Sequence, residues 1–194
     1  AFKEVMVKLE NTAFLGQRRV NETVSTVAIP HLMGGLNFFF SSAYRSNHYT
    51  TSLASAQLQE KDLNDMLQNR FYAVGQENMG KTMLMGAWNK RRINDIYGTT
   101  ARSRREERRG GVIIDVIDTD FGPIDCLMSL RCPKATVFLL NLDFVSMHPY
   151  KGLAFFDQEL AKNGAYLKRQ IYGVYSMRLR NSKCMATLTS TATS

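Results

Sequence analysis

The sequence predicts an α+β fold, and three observations carry that expectation. Apolar residues recur at helical spacing in the first half of the chain, over residues 2–13, 63–74 and 87–97. After Gly111 the period shortens to that of strands, with apolar runs over 112–117, 124–130 and 135–140. Helical and strand-like sequence are thus segregated along the chain rather than alternating, as in a fold with separate helical and sheet regions.

Phe2, Val5, Met6, Leu9 and Ala13 fall on one helical face, with Lys3, Glu4, Lys8 and Glu10 outside it, and Gly16 is placed to end the helix. A Val- and Thr-rich stretch leads to Pro30. Gly34 and Gly35 then break the chain before the cluster Phe38, Phe39 and Phe40. Residues 41–55 are small and polar and read as a loop or crossing segment. Ser55 is placed to cap a second helix, whose buried stripe is Leu63, Met66, Leu67, Phe71 and Val74 and whose end is Gly75. Residues 82–85 make a short apolar strand. Residues 87–97 form a third helix, with Trp88, Ile93 and Ile96 inward, Lys90, Arg91 and Arg92 outward, and Gly98 closing it.

Strand 112–117, a turn at Phe121, Gly122 and Pro123, and strand 124–130 make a hairpin. Residues 135–140 are a third strand and 153–156 a further one. Residues 175–180 alternate apolar and polar, as a half-buried strand does, and Asn181 and Ser182 turn the chain into a last strand over 184–188. The final Ser- and Thr-rich residues are expected to fray.

Composition bounds the function. The 194 residues, 44% hydrophobic, suffice for one compact domain or two small lobes. No apolar run reaches the roughly 18 residues of a membrane span, so no membrane partner is expected. The first ten residues are amphipathic rather than a secretory leader, and the absence of an initial Met is expected of a processed chain or a fragment. Cys126, Cys132 and Cys184 are odd in number with no close pair, which fits buried thiols. His31, His48 and His148 are scattered, so neither a metal site nor a Cys–His catalytic pair is expected.

The net charge of +8 is concentrated. Residues 86–110 hold Lys90, Arg91, Arg92, Arg102, Arg104, Arg105, Arg108 and Arg109 against Asp95, Glu106 and Glu107, and so carry five of the eight positive charges. Arg102, Arg104, Arg105, Arg108 and Arg109 form the candidate basic site. They suit either a polyanion such as DNA or the acidic surface of a neighbouring subunit, as a solvated segment. Asp118 and Asp120 have the spacing of a carboxylate pair on one strand face. Acids at a hairpin also serve to discourage edge pairing.

One motif points elsewhere. Gly75-Gln-Glu-Asn-Met-Gly80-Lys81-Thr82 matches the phosphate-binding loop GxxxxGK[ST]. In that alternative, nucleotide-binding reading the backbone amides cradle phosphates, Lys81 neutralises them and Thr82 holds magnesium. The loop needs a buried strand before it and a helix after it. This sequence reads the other way round, with a helical stripe before Gly75 and a strand after Lys81.

Several short segments, in order, resemble a family of tailed-phage major capsid proteins long catalogued as a domain of unknown function. They are Trp88-Asn-Lys-Arg-Arg-Ile-Asn94, Thr119-Asp-Phe-Gly122, Glu159-Leu-Ala-Lys-Asn-Gly164, Lys168-Arg-Gln170 and Arg180-Asn181. Asn163 stands where the family pattern has Thr, Gln158 where it has Glu, and no Glu follows Asn181. The resemblance implies a Hong Kong 97-type capsid fold with a peripheral lobe, built from a spine helix and a long β-sheet, and an axial lobe. It assigns residues 1–56 to the spine helix and crossing segment, 57–134 to the axial lobe, and 135–194 to the return into the peripheral sheet. The family's N-terminal arm and extended loop have no counterpart in this sequence, as expected if they were cleaved or omitted. The resemblance further implies a non-enzymatic structural subunit without cofactor, catalytic residue or metal. Its partners would be further copies of itself in hexamers and pentamers, portal, scaffold or decoration proteins, and packaged double-stranded DNA held without sequence preference. It would assemble in the host cytoplasm and reside in the virion capsid.

Overall fold

A computed structural model describes residues 2–18, 32–40, 49–54, 56–97, 104–109, 112–150, 154–160 and 169–189. The helices are α1 (Phe2–Leu15), α2 (Leu36–Phe39), α3 (Glu60–Asn78) and α4 (Ala87–Tyr97). The strands are β1 (Tyr49–Ser52), β2 (Thr82–Met85), β3 (Arg104–Arg109), β4 (Val112–Thr119), β5 (Gly122–Met128), β6 (Val137–Leu140), β7 (Val145–Pro149), β8 (Phe156–Glu159), β9 (Arg169–Tyr172), β10 (Tyr175–Leu179) and β11 (Ala186–Thr189). The chain forms two compact units, Ala1–Ser41 with Ser146–Arg178 and Ser42–Val145 with Leu179–Ser194. Among the described residues no helix is long and apolar enough to cross a membrane.

The second unit is built on a seven-stranded sheet in the order β1-β11-β6-β2-β5-β4-β3. The pairs β1/β11 and β2/β5 are parallel and the other neighbours antiparallel. A parallel pair cannot be joined by a tight turn, and the chain reaches β5 from β2 through α4 and the β3–β4 hairpin. All four residues of β6, Val-Phe-Leu-Leu, are buried. A strand covered on both faces reads as an unbroken apolar run for this reason. The core joins Leu63, Met66 and Leu67 of α3 and Ile93 of α4 to Met83, Met85, Ile124, Val137, Leu139 and Leu188 of the sheet.

α3 starts at Glu60, five residues beyond the expected cap. Ser55 lies outside the described residues, and Gln59 is the actual cap. Its backbone N–H donates to Asp62 Oδ2 at 2.9 Å in a capping box. The expected stripe is correct: Leu63, Met66 and Leu67 are buried and Phe71 and Val74 half-buried. Buried beside it is Arg70, whose Nη1 donates to the Lys183 carbonyl at 2.7 Å and whose guanidinium lies 5.7 Å from the Tyr49 ring centre. Gly75 does not end the helix but kinks it, at φ 76° and ψ 166°, and helical residues continue to Asn78.

α4 is rotated from the expected face. Trp88 is exposed, whereas Asn89, Lys90 and Ile93 are buried and Ile96 half-buried. Asn89 decides this rotation: its Nδ2 donates to the carbonyls of Lys134 at 3.0 Å and Thr136 at 3.4 Å. A buried amide with two acceptors fixes a helix face as firmly as an apolar residue does.

Two expected loops contain strands. β1 lies within the polar stretch 41–55, and β3 is formed by the Arg-rich run, paired antiparallel with β4. The 112–128 hairpin and the strands at 137–140 and 186–189 agree with expectation. The expected strand at 153–156 is displaced to β8, and Leu153 lies outside the described residues.

In the first unit α1 ends where Gly16 donates its N–H to the Thr12 carbonyl at 2.8 Å, and Gly35 then donates to the Gly16 carbonyl at 2.7 Å. A Cβ on Gly35 would stand 2.6 Å from the Gly16 nitrogen and the Thr12 carbonyl oxygen, so this crossing requires glycine. Phe14 is buried, but Phe2, Met6 and Leu15 are exposed, so the expected stripe is only partly covered. The described strands here form two two-stranded pairs, β7/β10 and β8/β9. Along β10 burial alternates as expected, with Met177 inward and Ser176 and Arg178 outward. The rings of Phe155 and Tyr175 lie 4.9 Å apart and those of Phe2 and Phe155 5.6 Å apart.

The unit boundaries differ from the expected divisions at 56/57 and 134/135. β6 and β11, expected with the peripheral sheet, are inner strands of the seven-stranded sheet. β6 pairs with both β2 and β11, and these ladders tie the end of the chain to its middle.

Candidate assembly surfaces

The phosphate-loop match has the wrong surroundings for a nucleotide. It runs from a helix into a strand, the reverse of a phosphate loop. Its amides are engaged within the fold: Met79 N–H donates to Gly75 O at 3.2 Å and Gly80 N–H to Cys184 O at 2.9 Å. The Lys81 carbonyl accepts from Asp125 N–H at 2.8 Å, the Lys81 side chain is exposed and Thr82 is buried. The geometry brings Gly75, Gly80, Lys81 and Thr82 together as a helix-to-strand turn, and the alternative reading lacks its cradle.

The basic segment takes a definite place. Arg104, Arg105, Arg108 and Arg109 lie on β3, at the edge of the seven-stranded sheet, opposite Val116, Asp115, Ile113 and Val112 respectively. The register shifts between Arg105 and Arg108, so Glu106 and Glu107 occupy a bulge. A charged, bulged edge strand resists indiscriminate pairing with other strands. Arg102 lies outside the described residues.

Asp118 is the penultimate residue of β4, whereas Asp120 lies in the turn beyond it. Both are exposed, and they sit at the tip of a hairpin rather than in a cleft. Thr119 Oγ1 donates to Gly122 O at 2.7 Å, Gln76 Nε2 donates to Phe121 O at 3.2 Å, and the Phe71 and Phe121 rings lie 5.5 Å apart. The tip is therefore fixed to α3.

The three cysteines are buried. Burial pushes the Cys132 thiol up to about 12, so it stays protonated and unreactive. His148 is exposed and shares a 2.8 Å hydrogen bond with Ser146 Oγ, while His31 and His48 lie outside the described residues. Among the described residues no group of His, Cys, Asp and Glu could hold a metal ion.

One surface is given only in part by the sequence, which places Arg91 and Arg92 outward but Trp88 inward. Trp88, Arg91, Arg92 and Asp95 occupy one face of α4 at helical spacing, and with Gln57 and Leu58 they line a groove of about 250 Å³. Reading that spacing from Trp88 as an outward face would have found it.

Residues 1–192 match the model of the SU10 major capsid protein family. The chain belongs to this family. It is accordingly a bacteriophage capsid protein, a structural component of the virion. A search of curated protein sequences finds no match. Solved structures share the fold at low identity. The holo-SrpI encapsulin complex of Synechococcus elongatus PCC 7942 aligns over 100% of this chain and 64% of its own, with TM-score 0.63 and 11% identity. The satellite phage P4 procapsid including size determination (Sid) protein aligns over 100% and 64%, with TM-score 0.52 and 9% identity. The cyanophage A-1(L) capsid aligns over 92% and 55%, with TM-score 0.51 and 12% identity. The Hong Kong 97-like capsid fold is thus shared, and the chain spans less than two thirds of each of these proteins.

Proposed function

We propose that this capsid protein assembles with copies of itself into hexamers and pentamers of an icosahedral head that encloses double-stranded DNA. The observation that carries the reading is the family match over residues 1–192, joined to a capsid-like fold. The unit holding α1 is the peripheral lobe, with α1 as spine helix or part of it. The unit holding the seven-stranded sheet is the axial lobe. The arginines of β3 contact a neighbouring subunit rather than DNA, a role favoured by their position on a sheet edge.

Electron microscopy of the full-length protein tests the reading. Closed shells with six- and five-fold capsomers are expected, and a strict monomer under all assembly conditions, absent from virions, would overturn it. Neutralising Arg104, Arg105, Arg108 and Arg109 should impair assembly while leaving DNA affinity and its salt dependence unchanged. A shallower salt dependence with normal assembly would instead place these residues on phosphates.

A further inference from the structure

We infer that the groove on α4 docks a second copy of this chain, and that it receives the acidic tip of that copy's β4–β5 hairpin. The inference rests on the capsid reading and adds to it a specific contact between copies.

The groove is built rather than incidental. Its base is Leu58, which is buried, and the Leu58 carbonyl accepts a hydrogen bond from Arg92 Nε at 3.0 Å, holding one wall to the other. The chain's single tryptophan, Trp88, stands at its lip with 38% of its surface exposed. Tryptophan gives large contact area for little rotamer entropy and is enriched where partners meet. Beside it stand two guanidinium groups, Arg91 and Arg92, against one carboxylate, Asp95. An aromatic plate next to paired guanidinium groups suits a ligand that is anionic and carries a compact apolar group.

The hairpin tip has that chemistry. Asp118 and Asp120 are exposed, and Pro123, directly opposite Asp118 in the ladder, is exposed with them. The carboxylates suit the guanidinium groups, and the proline ring suits the indole face. The tip is already ordered by Thr119, by Gln76 and by the Phe71–Phe121 ring contact, so docking it loses little conformational freedom.

Groove and tip are built from different residues of the same compact unit. A contact between two unlike patches is heterologous, and repeated head to tail it closes a ring when the rotation permits. A capsomer is such a ring.

The test is a charge swap in the full-length chain. Arg91→Glu alone, and Asp118→Lys with Asp120→Lys, should each lower the yield of shells by about tenfold or more at fixed concentration, read by sedimentation and electron microscopy. Combining them should restore the yield. All of these positions are exposed, so melting temperatures should match the unaltered chain. As a second readout, Arg91→Cys with Asp120→Cys should give interchain disulfide-linked multimers on oxidation. Reversals that assemble normally, a combination that folds but does not recover, or oxidation without interchain links would overturn the inference. An unaltered chain that forms no shells would instead overturn the capsid reading beneath it.

Discussion

Replacing Asn89 tests the packing of α4 most directly. Its side-chain amide, 1% exposed, donates to two backbone carbonyls in the segment between β5 and β6. Each such bond contributes about 1 kcal/mol net, and a stranded buried acceptor costs about 1–3 kcal/mol. The Thr136 carbonyl keeps a weak contact with the Cys132 thiol at 3.8 Å, so the loss falls mainly on Lys134. Asn89→Ala should therefore destabilise by about 2 kcal/mol, lowering Tm by about 4–8 °C in a chain of this size. Asn89→Asp should be worse at pH 7, because a carboxylate cannot donate and its charge would face two carbonyl oxygens. Burial raises the folded pKa of that introduced acid above its unfolded value. The Asp variant is therefore nearest the native stability below the unfolded pKa, where the protonated acid still donates one bond, and loses stability as pH rises through the folded pKa. Urea denaturation followed through Trp88 fluorescence at pH 4 and pH 7 measures both effects. An Ala variant within about 0.5 kcal/mol of the parent, or an Asp variant as stable as Ala at pH 7, would refute the assignment.

Three further outcomes are expected. Gly75→Ala should destabilise by about 1–3 kcal/mol through backbone strain alone, since a Cβ there meets no atom within 4 Å but φ is 76°; an unchanged denaturation midpoint would refute the kink. Cys126, Cys132 and Cys184, all buried, should resist a thiol reagent in the native protein and react with three equivalents once unfolded, and rapid native labelling would contradict their burial. Tyr97 has its ionisation pushed up to about 12, first by burial and then by Glu60, so the stability it confers is complete below the unfolded value near 10 and is lost as pH rises toward the folded one. Tyr97→Phe should flatten the alkaline fall in stability, and an identical pH profile would contradict the shift.

Much of the second unit was legible because its elements carry their own periodicity. The stripe of α3, the hairpin of β4 and β5, and the apolar run of β6 each show which residues are covered. β3 was not legible, since a run of arginines and glutamates has no apolar alternation and becomes a strand only by pairing with β4. β1 is similar: Tyr-Thr-Thr-Ser is a strand because it lies parallel to β11, more than a hundred residues later. The face of α4 differs from the expected one because hydrophobicity favours burying Trp88, whereas the carbonyls to which Asn89 donates belong to a segment remote in sequence.

The sequence by itself determined α1, α3 and α4, the strands β2, β4, β5, β6, β10 and β11, and the family resemblance, because these depend on local spacing and short motifs. Tertiary structure decided the rest. It placed β6 and β11 inside the seven-stranded sheet, engaged the amides of the phosphate-loop spelling within the fold, and brought Trp88 to the surface beside Leu58. Each of these depends on a partner distant along the chain, and spacing within one segment carries no information about such a partner.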